Sequence, residues 1–222
     1  MAVAREPVRV VCWNNQPSPY FVRRLNAVSD RGRVGVEAWF SELRASDREW
    51  TVDPSQWRFP ARLLPPGRRR AGRAVQLLGT QRPDLFATLY ADAAFGVTVL
   101  AAKLLGIPVV VRALRTFPSW RRRSIDREVA KHCLFRLVDG VQVAGPESAA
   151  YVSRYGARRG RVFPIREEID LPFWNASAET PPDLVRELRA RHGLEGCVFL
   201  YVGRLWWGKG IETLIEAFRR LQ

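Results

Sequence analysis

Val202-Gly203-Arg204-Leu205-Trp206-Trp207-Gly208-Lys209-Gly210 is the stretch that decides how this chain is read. In front of it lies an apolar run, Cys197-Val198-Phe199-Leu200-Tyr201-Val202, with the length and composition of a buried strand. Behind it, Ile211, Leu214, Ile215, Phe218 and Leu221 fall near a 3.6-residue period, which predicts an amphipathic helix. Strand, glycine-bearing turn, two fixed cations and a helix N-terminus form an arrangement by which α/β proteins hold a phosphate. Backbone N–H groups at the helix start point at the anion, and the helix dipole favours negative charge there. Arg204 and Lys209 add positive charge, and Gly203 and Gly210 let the backbone come close.

Upstream of this turn, strand-like and helix-like segments alternate. Val8–Trp13 reads as a first strand, and Asn14–Pro19 as a polar loop at its carboxyl end. Phe21, Leu25 and Val28 give Tyr20–Ser29 helical spacing, and Val34–Phe40 reads as a second strand. Ser41–Gly72, rich in Trp, Pro and Arg, is the least regular region, with a short strand expected within Trp57–Leu64. Helices are then expected at Ala71–Thr80, Ala93–Leu105, Ser124–Val138 and Glu147–Tyr155. Strands are expected at Asp84–Tyr90, Ile107–Ala113, Val141–Ala144 and Arg161–Ile165. Asp92 is placed to cap the helix that follows it, and Gly106 and Gly156 to close two others. Most of the strands are too apolar for a sheet with one wet face. The reading is therefore a Rossmann-like, doubly wound parallel sheet covered on both faces. Prolines at 172, 181 and 182 among small and polar residues mark a linker, and Asp183–His192 a helix closed by Gly193. The expected organisation is one domain over 1–170, a linker over 171–183 and the opening of a second Rossmann-like unit over 184–222.

Composition narrows the class. The chain has 222 residues, of which 47% are hydrophobic and 11% aromatic, enough for a real core and too many for disorder. Cys12, Cys133 and Cys197 are scattered without a C-x-x-C, which fits a reducing compartment rather than a zinc site or disulfide framework. No cluster of His or carboxylates suggests a metal. Met1–Pro7 lacks a leader-like apolar core. Ala93–Val111 approaches the length of a membrane span, but Lys103, Gly106 and Pro108 make it helix, turn and strand instead. The expectation is a cytoplasmic protein.

The net charge of +14 admits nucleic acid, an anionic membrane face or a phosphorylated substrate as partner. Only Lys103, Lys131 and Lys209 are lysines, so the excess is arginine, as a GC-rich coding sequence alone produces. The runs Arg68-Arg69-Arg70 and Arg121-Arg122-Arg123 carry no interleaved aromatics for base stacking, and no specific nucleic acid is expected.

Cys197–Leu221 as a whole resembles the start of the donor-binding domain of retaining GT-B glycosyltransferases of the large family 4. Gly203, Arg204, Lys209, Gly210, Glu216, Ala217 and Phe218 all fall in register with that family's pattern. Arg82-Pro83-Asp84, Leu105-Gly106-Ile107-Pro108-Val109-Val110 and the run Leu137–Tyr155 look like the middle and end of its N-terminal domain.

The resemblance implies that Arg204 and Lys209 bind the diphosphate of a nucleotide sugar, which serves as co-substrate with no further cofactor and no metal. It implies an acceptor-side domain in which Asn14, Asn15 and Gln16 face the cleft, with Asp92 and Arg112 lining it. The acceptor would be a glycan or lipid-linked molecule, reached in some relatives by peripheral docking on an anionic membrane face. Three departures stand beside this. Glu167-Glu168 replaces an Asn-Gly, and Arg112-Ala113-Leu114-Arg115 holds no His where many members have one. His132 and His192 are expected on helix surfaces elsewhere. The family's paired glutamates have no counterpart before Gln222, so this chain by itself is expected to be inactive. The other class left open is a basic binding module, docking on nucleic acid or membrane without transfer chemistry.

Overall fold

A computed structural model of the chain describes residues 7–44, 53–89, 93–114, 125–165, 171–172, 175, 180–203, 205 and 207–221. The chain divides into two compact units, Met1–Asp170 and Leu171–Gln222.

The first unit is an α/β layer. Its strands are β1 (Val8–Asn14), β2 (Val34–Phe40), β3 (Ala61–Leu63), β4 (Leu85–Leu89), β5 (Val109–Ala113), β6 (Gly140–Val143) and β7 (Val162–Pro164). They form one seven-stranded sheet in the order β3-β2-β1-β4-β5-β6-β7, every pair parallel. The helices are α1 (Pro19–Asp30), α2 (Arg69–Gln81), α3 (Ala93–Leu104), α4 (Ile125–Leu137) and α5 (Pro146–Arg154). Each joins two parallel strands, as the crossover rule demands. The expected elements are all present, most of them displaced by one or two residues. Only β2 has the bounds read from the sequence.

Local chemistry sets the boundaries. Ser18, in extended conformation, caps α1 by accepting from the Phe21 N–H, and Pro19 occupies the first helical turn, where its missing N–H costs nothing. Arg82 ends α2 in the left-handed region at φ 46°, a conformation that costs a residue with a β-carbon about 1 kcal/mol. Its neighbours hold it there. Its guanidinium donates to the Leu105 carbonyl at 2.9 Å, and its own carbonyl accepts from Arg9 at 2.7 Å.

Side-chain alternation assigns the two faces of the sheet. On one face, Val11, Trp13, Phe86, Val109, Val111, Val141 and Val143 are buried beneath apolar residues of α2, α3, α4 and α5. Val36, Ala38 and Phe40 point the other way and pack on Leu25 of α1 and on Phe59. Both faces are covered, as the sequence leads one to expect, though unequally. On this second face of β4 and β5, Leu85, Ala87, Leu89, Val110 and Arg112 are only half-buried. The reason is topological. Four crossovers run in one direction along the sheet and stack their helices on the same side, and only the step from β1 to β2 puts a helix on the other.

Asp139, at the entrance to β6, fastens the sheet to its helical layer. It accepts from the Lys103 ammonium of α3 at 2.6 Å and from the Val109 N–H of β5 at 2.8 Å. Partial burial alone would raise its pKa. The hydrogen bonds from Lys103 and Val109, with the charges of Lys103 and Arg161, outweigh that and hold the carboxyl below the usual range.

The second unit contains α6 (Pro182–Arg191) and α7 (Ile211–Arg219), the latter preceded by a 3₁₀ turn at Trp207–Lys209. The strand expected at Cys197–Val202 does not form. A strand exists only through pairing, and the described residues of this unit hold no second strand to pair with. Phe199, Leu200 and Val202 accordingly remain 66%, 81% and 84% exposed. Phe199 meets Phe218 of α7 edge-on at 6.0 Å.

Asp139→Asn is expected to destabilise the chain by about 1 kcal/mol at neutral pH, the modest figure reflecting partial exposure of the pair. Because the folded carboxyl has a lowered pKa, this stabilisation is complete above its ordinary value of about 4 and fades as pH falls through the folded value. Urea unfolding of wild type and variant at about pH 7 and about pH 3 checks this: the difference between them shrinks on acidification.

Candidate functional site

The chain leaves β1 toward β2 and β3 on one side, then returns to β4 on the other. That reversal opens a crevice at the carboxyl ends of β1 and β4, the position at which open α/β sheets bind ligands. Asn14, Asn15 and Gln16 follow β1 there, and Arg112 lies in β5 beside Leu89 of β4 and Gln142 of β6.

The loop after β1 is built from its own polar groups. The Asn14 side-chain oxygen accepts from the Asn15 N–H at 2.8 Å. The Asn14 and Asn15 carbonyls accept from the Ser41 N–H at 3.2 and 3.0 Å, and the Asn15 carbonyl also takes the Glu42 N–H. Ser41 in turn accepts from the Trp13 indole at 3.1 Å in a buried contact. Trp13 stacks on Phe95 of α3 with ring centroids 4.1 Å apart. The ends of β1 and β2 and the start of α3 are thereby fixed to one another.

Of the residues read as cleft-lining, Asn14 and Arg112 come together in one cavity of about 330 Å³. Asn15 is exposed and Gln16 half-buried, and neither lines that cavity. Asp92 lies outside the described residues. Sequence reasoning missed three further polar members, Arg24 of α1, Thr88 of β4 and Gln142 of β6. A signal for Arg24 was present. It shares the helical stripe of Phe21, Leu25 and Val28, where a cation is out of place on an apolar face. Cys12 lines the same cavity. Burial pushes its thiol up to about 12, against the opposing charge of Arg24, so it is a protonated thiol at neutral pH.

In the second unit, Lys209 ends the 3₁₀ turn and is exposed. Gly210 follows at φ +71° as the residue before α7, a left-handed conformation in which a side chain would be strained. The first backbone bond of α7 runs from the Leu214 N–H to the Gly210 carbonyl at 3.0 Å. Helix geometry therefore leaves the N–H groups of Ile211, Glu212 and Thr213 without intrahelical acceptors, next to Lys209. Gly203 stands at the start of the same turn, and a β-carbon there would come within 2.7 Å of the Tyr201 hydroxyl. Arg204 and the side chain of Trp207 lie outside the described residues.

Neither histidine joins these groups. His132 is half-buried with its ring 5.1 Å from that of Tyr155, a correction to its expected surface position, and His192 ends α6. Among the described residues no group of three His, Cys, Asp or Glu stands close enough to hold a metal, and no helix is long and apolar enough to cross a membrane.

No protein-family model matches the chain, and no curated protein matches it at the level of sequence. Solved structures do. Anabaena HepE in complex with UDP-glucose superposes with a TM-score of 0.71 at 18% identity, over 96% of this chain and 57% of HepE. The HepE complex with UDP gives 0.69 at 17% identity over the same shares. A glycosyltransferase from Rickettsia africae gives 0.64 at 10% identity, over 98% of this chain and 58% of that one. At such identities the likeness defines the class of fold: a Rossmann-like α/β layer of the GT-B kind. The chain spans about three-fifths of the length of these structures.

Ser41→Ala leaves the buried Trp13 indole N–H without its acceptor, and a cost of about 1–2 kcal/mol is expected. Thermal and urea unfolding measure it, and Ser41→Thr, which keeps the hydroxyl, is expected to restore most of the loss.

Proposed function

We propose that the chain is part of a retaining GT-B glycosyltransferase of the family 4 type, which transfers a sugar from a nucleotide diphosphate sugar to an acceptor. The observation that carries this reading is the Gly203–Gly210 turn. It combines the family's residue register with a lysine and a glycine placed immediately before a helix N-terminus. The fold likeness to HepE, whose structures hold UDP and UDP-glucose, supports it.

The chemistry asked of the turn is electrostatic. When the bond between the anomeric carbon and the terminal phosphate oxygen breaks, its electron pair goes to that oxygen and charge grows on the departing diphosphate. Arg204, Lys209 and the amides at the start of α7 would meet that charge as it forms, stabilising the transition state more than the ground state. An acceptor hydroxyl oxygen then bonds to the anomeric carbon on the face from which the diphosphate leaves, and its proton passes to the departing diphosphate oxygen. The first unit would present the acceptor through the loop after β1 and the cavity containing Asn14 and Arg112. The net charge of +14 favours peripheral docking on an anionic membrane as the route to a lipid-linked acceptor.

Calorimetric titration of the chain with UDP tests the donor reading. Saturable binding is expected, weakened about tenfold or more by Lys209→Ala and by Arg204→Ala, a loss of about 1.4 kcal/mol each. Binding that is absent, or unchanged in both variants, would refute it. Equal affinity for duplex DNA, collapsing steeply with salt, would favour a basic docking module instead.

A further inference from the structure

α3 carries apolar residues on every side, a composition that ordinarily belongs to a helix buried all round. Only one side of it is covered. Phe95, Thr98, Val99 and Ala102 face the core and are buried. Ala93, Val97, Leu100 and Leu104 follow one another a turn apart on the other side, and all four are exposed, Leu104 to 82%. The single charge of the helix, Lys103, is engaged with Asp139 at 2.6 Å. α4 packs beside α3. It exposes Ile125, Val129, Cys133 and Leu137, again a turn apart, with Ile125 at 84%. The two helices together form an apolar ridge on the outer side of the helical layer, a surface that marks a docking site on a soluble protein.

The charges bordering the ridge select its partner. α2 packs on the other flank of α3 and exposes Arg69 and Arg73, and α4 exposes Arg127 and Arg136. Among the described residues of these three helices, Asp126 is the one exposed carboxylate. A second copy of the chain would bring these cations against their own kind, and the net charge of +14 already opposes self-association. An apolar strip bordered by arginine matches instead the boundary between acyl chains and anionic headgroups. At 12 residues α3 is too short to cross a bilayer and lies in the plane of such a boundary.

We infer that the α3–α4 ridge is the surface by which the chain docks on an anionic membrane. Val97, Leu100, Leu104, Ile125 and Val129 enter the acyl boundary, and the bordering arginines meet headgroup phosphates. The inference rests on the peripheral docking proposed above and gives it a place and an orientation. The sheet lies parallel to the membrane, so the crevice at the carboxyl ends of β1 and β4 opens along the bilayer surface.

Sedimentation of the full chain with vesicles tests this, using phosphatidylcholine alone or mixed with phosphatidylglycerol. Binding to the mixed vesicles and not to the neutral ones is expected. Val97→Ser, Leu100→Ser and Leu104→Ser together should weaken it about tenfold or more. Being exposed, they should leave the urea unfolding midpoint in place. Arg69→Ser with Arg73→Ser should weaken binding and flatten its salt dependence. Ile215→Ser with Phe218→Ser, on the exposed apolar face of α7, should leave it unchanged. In a chain carrying Cys12→Ala and Cys197→Ser, an environment-sensitive fluorophore on Cys133 should shift to the blue on the mixed vesicles.

Vesicle binding that survives the three serine substitutions in α3, or is lost equally in the α7 control, overturns the inference and leaves docking itself standing. Binding without a shift at Cys133 also overturns it, since that is adhesion by charge alone. Binding to neither vesicle sinks the docking reading and this surface together. A concentration-dependent dimer that the same three substitutions dissolve assigns the ridge to a second copy instead. UDP titration reports on the Gly203–Gly210 turn separately, so the failure of one proposal does not carry the other.

Discussion

The structure depends on the burial of one face of the parallel sheet. Trp13, Phe86, Val109, Val111, Val141 and Val143 are removed from water by α2 through α5. At about 25 cal/mol per Å² of apolar surface, this is the dominant favourable contribution to the first unit. Everything at the ligand end inherits its position from that face. Trp13 is anchored through Phe95 and Ser41, and Asn14 is the next residue along β1. Strand alternation then turns Asn14 to the opposite, less covered face. The residues that hold the sheet together and those that line its cavity are neighbours in sequence and opposites in direction.

The second face shows what that arrangement leaves over. Because one crossover helix lies there against four on the other side, the strands on the far side of the chain reversal keep a half-covered surface at their carboxyl ends. Arg112 and Gln142 sit on it at adjacent register positions, and α1 brings Arg24 to it. A polar cavity at this place requires no special folding device. It follows from the direction in which successive crossovers run.

Much of the first unit was legible in the sequence because its signals are local. Val34–Phe40 declares itself by an apolar, β-branched run, and α1 by the spacing of Phe21, Leu25 and Val28. Non-local causes were not legible. The left-handed turn at Arg82 is held by Arg9 and Leu105, distant in sequence, and Asp139 acts through Lys103 and Val109. The apolar run Cys197–Val202 has the composition of a strand, but composition supplies no partner, and the segment is irregular and exposed. At the candidate site, Asn14 and Arg112 could be placed because strand ends are predictable. Arg24 passed unnoticed although it shares the stripe of Phe21, Leu25 and Val28, because a single arginine within a helix is ordinarily a solvated one, and only the tertiary structure shows that this stripe borders a cavity.

Backbone amide exchange on the intact chain tests the central claim most directly, since it reports where the cooperative structure lies. If burial of one sheet face organises the molecule, amides of Val10–Trp13, Phe86–Thr88 and Val109–Ala113 exchange only through global unfolding. Those of Val198–Val202 then exchange near their intrinsic rates. Strong protection at Val198–Val202, or rapid exchange in β1 and β4, would contradict the account.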